Sequence, residues 1–296
     1  MKAVSARARA QVQNVLFATD FSPAAATAVP YVKEIVSRYG ASLFALHVRP
    51  PIVNPMTPPA SWAATVEAAR VEEEQQREAL LAAFPGMHPE IMMEEGDVQS
   101  SVASAIARHK IDMLVIGTRG RTGVGKFFLG STAEEIFRQA PCPVLTVGPH
   151  AILPLQDGHL PAIVYATDFS DKSFAAATYA TSLAQEFQAR LVFLHVIPNP
   201  NPGELLTSAQ TRDSCEQLLQ ELVPPETSAG CESECVVEVG EAADKILQVA
   251  KDKKAAVIVL GVRPETGFPG SATHLPIATT HKVVSHVHCP VLTVRG

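Results

Sequence analysis

The sequence predicts two α/β domains in tandem, each a doubly wound, five-stranded parallel sheet flanked by helices. Two observations carry this. The chain is written twice: "VLFATDFS" at 15–22 returns as "IVYATDFS" at 163–170, "LFALHVRP" at 43–50 as "LVFLHVIP" at 191–198, and "CPVLTV" closes both halves. Within each copy, short β-branched runs alternate with helical periods, as expected of strands buried on both faces of a parallel sheet. The 296-residue length accommodates two domains of ordinary size.

In the first half the predicted strands are 14–19, 43–48, 90–95, 112–117 and 143–148, with helices between them. The first helix has Ser22 as N-cap, Pro23 at its first position and Gly40 beyond its end. The segment 50–61 contains five prolines and is an irregular loop, since proline removes donors and blocks regular pairing. A later helix opens at "STAE", where Ser131 and Glu134 have capping-box spacing. The Gly- and Pro-rich stretch 148–162 reads as a linker, giving domains 1–149 and 162–296 joined by 150–161.

Composition narrows the function classes. A formal net charge of -6 argues against broad nucleic-acid binding. Apolar runs such as "MLVIG" and "VIVLG" have strand length, so no membrane span is expected. The leader carries Lys2, Arg7 and Arg9 without a signal-peptide apolar core, which predicts a cytoplasmic protein with a frayed N-terminus. Five cysteines without a CxxC pair fit reduced thiols. Cys231 and Cys235 are not spaced as a zinc signature, and His281, His286, His288 and Cys289 read as a histidine-bearing helix terminus rather than a metal site.

The chemistry concentrates after the fourth strand, in "GTRGRTGVGKFFLGST" at 117–132. Glycine in such density lets backbone approach a ligand closely, and Arg119, Arg121 and Lys126 favour an anion. Ligands of open parallel sheets sit outside the carboxyl ends of the strands, which places this loop and the "TDFS" turn after the first strand at one crevice. Asp20 there accepts hydrogen bonds from hydroxyls or an amine, and the start of the helix near Ser131 offers backbone N–H groups to phosphate.

Gly117, Gly120, Gly130 and Ser131 have the spacing Gly-x2-Gly-x9-Gly-Ser/Thr. Together with "ATDFS", "LHV" and "PCPVLTV", it resembles ATP-binding universal stress proteins, and both halves resemble that family. The resemblance implies a Rossmann-like, adenine nucleotide alpha-hydrolase-like fold with strand order 3-2-1-4-5 in each half. It implies a nucleoside against Thr19, Asp20 and Val48, and a ribose and phosphate path along Ile116, Gly117, Arg119 and Gly120. Gly130, Ser131 and Thr132 would hold the phosphates. The implied ligand is ATP with Mg2+ or Mn2+ held mainly by the phosphates, and the implied role is nucleotide-dependent stress signalling to a client protein. The resemblance also implies that the last strands pair antiparallel, making the chain an internal pseudo-dimer and leaving homodimerisation open.

Rival readings are weaker. "GRTGVGK" matches most of a P-loop, but Phe127 stands where that motif needs the magnesium-binding Ser/Thr. No Ser/His/Asp order or paired carboxylates adjoin the loop, so no catalytic residue is assigned; a slow ATPase or phosphotransferase, and a scaffold with vestigial nucleotide binding, are the alternatives. In the second half the motif is degraded: Pro264 replaces the second glycine, and Ile277 and Ala278 replace the Gly-Ser pair, while Asp168, Val196 and Arg263 persist. One tight nucleotide per chain is therefore expected.

Overall fold

The computed structural model describes residues 10–51, 62–118, 131–155, 158–199, 208–224, 231–262 and 275–295. In the first half the β-branched runs form β1 (Asn14–Ala18), β2 (Ser42–Arg49), β3 (Glu90–Glu95), β4 (Met113–Gly117) and β5 (Val144–Val147). Between them run α1 (Pro23–Ala26), α2 (Val29–Tyr39), α3 (Trp62–Ala83), α4 (Val98–His109) and α5 (Ser131–Gln139). The second half repeats the order: β6 (Ala162–Thr167), α6 (Asp171–Glu186), β7 (Arg190–Ile197), α7 (Ser208–Leu222), β8 (Ser233–Val239), α8 (Ala242–Asp252), β9 (Val257–Val262), α9 (Leu275–His286) and β10 (Val291–Arg295).

All ten strands join one sheet in the order β3-β2-β1-β4-β5-β10-β9-β6-β7-β8, so each half has the expected 3-2-1-4-5 arrangement. Every pairing is parallel except β5 with β10, where Val144, Leu145 and Thr146 oppose Thr293, Leu292 and Val291. The repeated "LTV" makes this seam reciprocal. Thr146 Oγ1 donates to Val291 O at 3.1 Å, and Thr293 Oγ1 donates to Val144 O at 3.2 Å. Each half thus covers the apolar edge that the other would expose.

Alternation along the strands divides the core between the two faces of the sheet. Val15, Phe17, Leu145, Tyr165, Val259 and Leu292 lie on one face, under α2 and α6; Leu16, Leu114, Val144, Val164, Ile258 and Val291 lie on the other, under α4, α5, α8 and α9. The halves also meet through helices. Tyr39 Oη and Ser182 Oγ are 3.2 Å apart, and Arg38 donates to the Glu186 and Gly158 carbonyls while its guanidinium lies 5.2 Å from the centre of the Phe187 ring.

Two local expectations are corrected. The segment from Pro23 to Tyr39 is two helices, not one, although Ser22 caps the first through Ala25 N and Gly40 ends the second at φ 62°. Pro30 explains the break: it has no N–H to give the Ala26 carbonyl, so the chain turns at Thr27–Ala28 and restarts. Its counterpart α6, which has no proline, runs unbroken. The second correction concerns α9, which begins at Leu275, so Ile277 and Ala278 are the third and fourth residues of its first turn and not the pair that opens the helix. Counted back from the closing "CPVLTV" of each half, α9 starts three residues earlier than α5. Between β5 and β6 the described linker residues form no helix.

Candidate nucleotide site

The site is built at the carboxyl end of β1 by a turn whose geometry is repeated in both halves. Phe21 and Phe169 both adopt φ 59°, a left-handed conformation that bulky residues avoid. Local hydrogen bonds hold it: Thr19 Oγ1 accepts from Phe21 N and Asp20 Oδ1 from Ser22 N, each at 3.0 Å. Thr167 Oγ1 and Asp168 Oδ1 do the same for Phe169 N and Ser170 N. From the neighbouring strand, buried His47 reaches Thr19 O at 2.8 Å through Nδ1. Because a carbonyl only accepts, Nδ1 carries the proton, which leaves Nε2 as the acceptor of the neutral ring. The Phe21 ring packs edge-on against His47, with centroids 4.8 Å apart.

Beside this turn lies a cavity of about 720 Å³. Asp20, His47, Val48, Arg49 and Pro50 form its strand side, and Ala64, Thr65, Ala68, Ala69, Glu72 and Gln76 of α3 form the opposite wall. The volume suits a small-molecule ligand. Its ionisable lining is acidic at Asp20 and Glu72, while Arg49 is engaged in ion pairs with Glu73 and Glu95. Glu72 Oε1 accepts from Gln76 Nε2 at 3.1 Å. The cavity therefore favours a ligand end that donates hydrogen bonds and carries no negative charge.

The first glycine of the loop stands close by. Gly117 ends β4, which pairs with β1, and a Cβ placed on it would lie 2.9 Å from Ala25 Cα and 3.0 Å from both Ala24 O and Ala25 N. Glycine is required here so that β4 can approach the helix that starts just after the Asp20 turn. Thr118 is buried, and its N–H donates to Val147 O.

Of the sequence-identified residues, Asp20 and Val48 share the cavity and Thr19 holds the turn at its edge. The Ile116 side chain is buried in the core, so only its backbone is available to a ligand. Arg119, Gly120 and Gly130 lie outside the described residues, as does the Ser131 side chain. Ser131 opens α5, and Thr132 is exposed in its first turn. The proposed capping box from Ser131 to Glu134 falls partly outside the described residues; Glu134 pairs with Arg138 at 2.8 Å and with His281 of α9 at 3.6 Å. Sequence reasoning missed His47 and the α3 wall. The recurrence of the histidine at His195, with the same 2.8 Å bond to Thr167 O, was the available signal.

A profile of the universal stress protein family matches residues 11–148 and again 161–295. The chain belongs to the universal stress protein family. Among its relatives, a universal stress protein of Mycobacterium tuberculosis is 26% identical over 314 residues, covering 95% of each chain. A single-domain member from Thermus aquaticus is 31% identical over 136 residues, covering 46% of this chain and 98% of its own. A universal stress protein structure from Archaeoglobus fulgidus superposes with a TM-score of 0.69 at 20% identity, over 96% of this chain and 99% of that one, which speaks to the fold alone.

The second half of this universal stress protein has the turn without the same surroundings. Ser173 occupies the place of Ala25, and its hydroxyl lies 2.8 Å from Thr167 Oγ1 while donating to Ser170 O. Thr167 is buried where Thr19 is half-exposed. Among the described residues no group of three His, Cys, Asp or Glu side chains is placed to hold a metal, and no helix is long and apolar enough to cross a membrane. His286 Nδ1 instead contacts Lys282 O at 2.9 Å, and Cys289 is buried.

Proposed function

We propose that this universal stress protein binds one ATP, in its first half, and that occupancy changes a surface read by a client protein in the stress response. The observation that carries the reading is the meeting of Asp20, His47 and Val48 in a 720 Å³ cavity beside the point where Gly117 packs on the turn-bearing helix. The acidic lining suits the amine and hydroxyl donors of a nucleoside and disfavours phosphate, so the phosphates would extend toward the 119–132 loop. There Gly120, Gly130 and Ser131 offer bare backbone and a hydroxyl, Thr132 a second hydroxyl, and Arg119 a cation; the N-terminus of α5 adds its dipole. A bound Mg2+ or Mn2+ would neutralise the phosphates, which would be its main ligands. Ile116 and Gly117 contribute backbone to the ribose side.

Five free cysteines suit a reducing compartment, and we place the protein in the cytoplasm. The second half acts as a structural partner, since its loop lacks the glycine spacing and its threonine hydroxyl is taken up internally.

Mass analysis of nucleotide released from purified protein, followed by titration of the nucleotide-free chain, tests the reading. ATP is expected at about one per chain. Absence of any adenine nucleotide affinity, or loss-free binding by a folded Gly130→Val variant, would refute it.

A further inference from the structure

The α3 wall is held in an unusual way. Of its 22 residues only Leu80, near the C-terminal end, is a buried core side chain. The half-buried positions before it, Thr65, Ala69, Glu73, Gln76 and Arg77, recur at helical spacing on one face, and they are small, polar or charged. Trp62, Val66 and Val71 are exposed. Apolar packing thus anchors the end of the helix, and the preceding turns stand over the cavity.

Arg49 reaches across that gap. Its Nη2 lies 3.4 Å from Glu73 Oε2 on α3 and 3.5 Å from Glu95 Oε2 on β3, and Arg49 and Glu95 are register partners at the carboxyl ends of their strands. Its Nη1 is enclosed and has no hydrogen-bond partner among the described residues. The second half has a different solution: the corresponding register pair is Ile197 with Val239. The charged clamp is present in the half with the intact glycine motif and replaced by an apolar pair in the half without it.

We infer that Arg49 is a positioning residue for ligand binding. It fixes α3 to the sheet edge, so that Thr65, Glu72 and Gln76 keep their distance from Asp20 and Val48. The inference rests on the proposal that a nucleoside occupies this cavity, and its effect on α3 can be read without any ligand.

The test compares the full-length wild type with Arg49→Ala, Arg49→Lys and the double variant Arg49→Ile with Glu95→Val. The double variant installs a pair that the chain already folds around in its second half. Amide hydrogen exchange along 62–80 in unliganded protein should quicken by about fivefold in Arg49→Ala and in the double variant, the scale of one partly exposed ion-pair network. Exchange in α4 and α6 should stay unchanged, and ATP affinity should fall by a similar factor, with partial recovery in Arg49→Lys. Unchanged exchange in α3 overturns the inference, as does a uniform rise across the chain. Weaker ATP binding with unaltered α3 exchange also overturns it and makes Arg49 a direct ligand contact. If the wild type takes up no ATP, the nucleotide reading fails, while the α3 exchange comparison still decides whether Arg49 holds the wall.

Discussion

Replacing Gly117 by alanine separates a packing role from a ligand role at the first glycine of the motif. The new Cβ would sit 2.9 Å from Ala25 Cα, against an ordinary carbon separation of about 3.5 Å or more, so α1 must retreat by about 0.6 Å. All three near atoms are backbone and cannot rotate away. Overpacking of this kind costs about 1–3 kcal/mol, which for a domain of this size lowers Tm by roughly 2–12 °C. The displaced helix begins directly after the Asp20–Ser22 bond, so ATP affinity should fall with stability even if Gly117 never touches the ligand. Gly148→Ala is the control: among the described residues its Cβ meets nothing closer than Val287 O at 3.9 Å. Thermal denaturation and calorimetric titration of both variants provide the measurements. A Gly117→Ala protein melting within about 1 °C of wild type would show that α1 yields freely and refute the argument.

Three further outcomes are expected. Asp20→Ala should weaken ATP roughly fivefold, the scale of about 1 kcal/mol for a lost hydrogen bond, and unchanged affinity by calorimetry would remove Asp20 from the site. Burial pushes the Cys142 and Cys289 thiols up to about 12, so folding keeps protons there that the unfolded chain releases above about pH 9. Their stabilisation is whole below that pH and declines by about 1.4 kcal/mol per pH unit per thiol as pH rises toward 12. Denaturant unfolding between about pH 9 and 11 should show a shallower decline for Cys142→Ala with Cys289→Ala than for wild type, and parallel slopes would contradict this. Isolated residues 1–149 should self-associate through the uncovered β5, and a strictly monomeric fragment in ultracentrifugation would count against the edge-covering role of β10.

The strands were legible because burial on both faces leaves few options but β-branched and other apolar residues, and the duplication supplied a second reading of each. The α1–α2 break was written at Pro30 but competes with a continuous helical period on either side, so only the missing donor to Ala26 O decides it. Of the residues lining the cavity, Asp20 was readable from the "TDFS" turn at the carboxyl end of the first strand, and Val48 came from the family resemblance. The Gly117 contact with Ala25 was not legible, since it joins segments whose spacing is set by tertiary packing. The α3 wall left a fainter trace: a long helix whose inward stripe is Thr65, Ala69, Glu73, Gln76 and Arg77 lacks the apolar face of a core helix, which points to a cavity behind it. Arg49 gave no local signal at all, because its partners come from another helix and the next strand.

The seam between β5 and β10 has a consequence for how the protein responds to its own abundance. Val147 and Ala162 bound a connection of 14 residues, 148 to 161, between the last strand of one half and the first of the next. A tether of that order holds the two edges at an effective concentration in about the millimolar range. Two separate domains would meet according to their copy number and part on dilution, whereas these meet on every chain at any expression level. The second half can then depart from the glycine spacing of the first and still be retained, because deleting it would return the first half to concentration-dependent assembly.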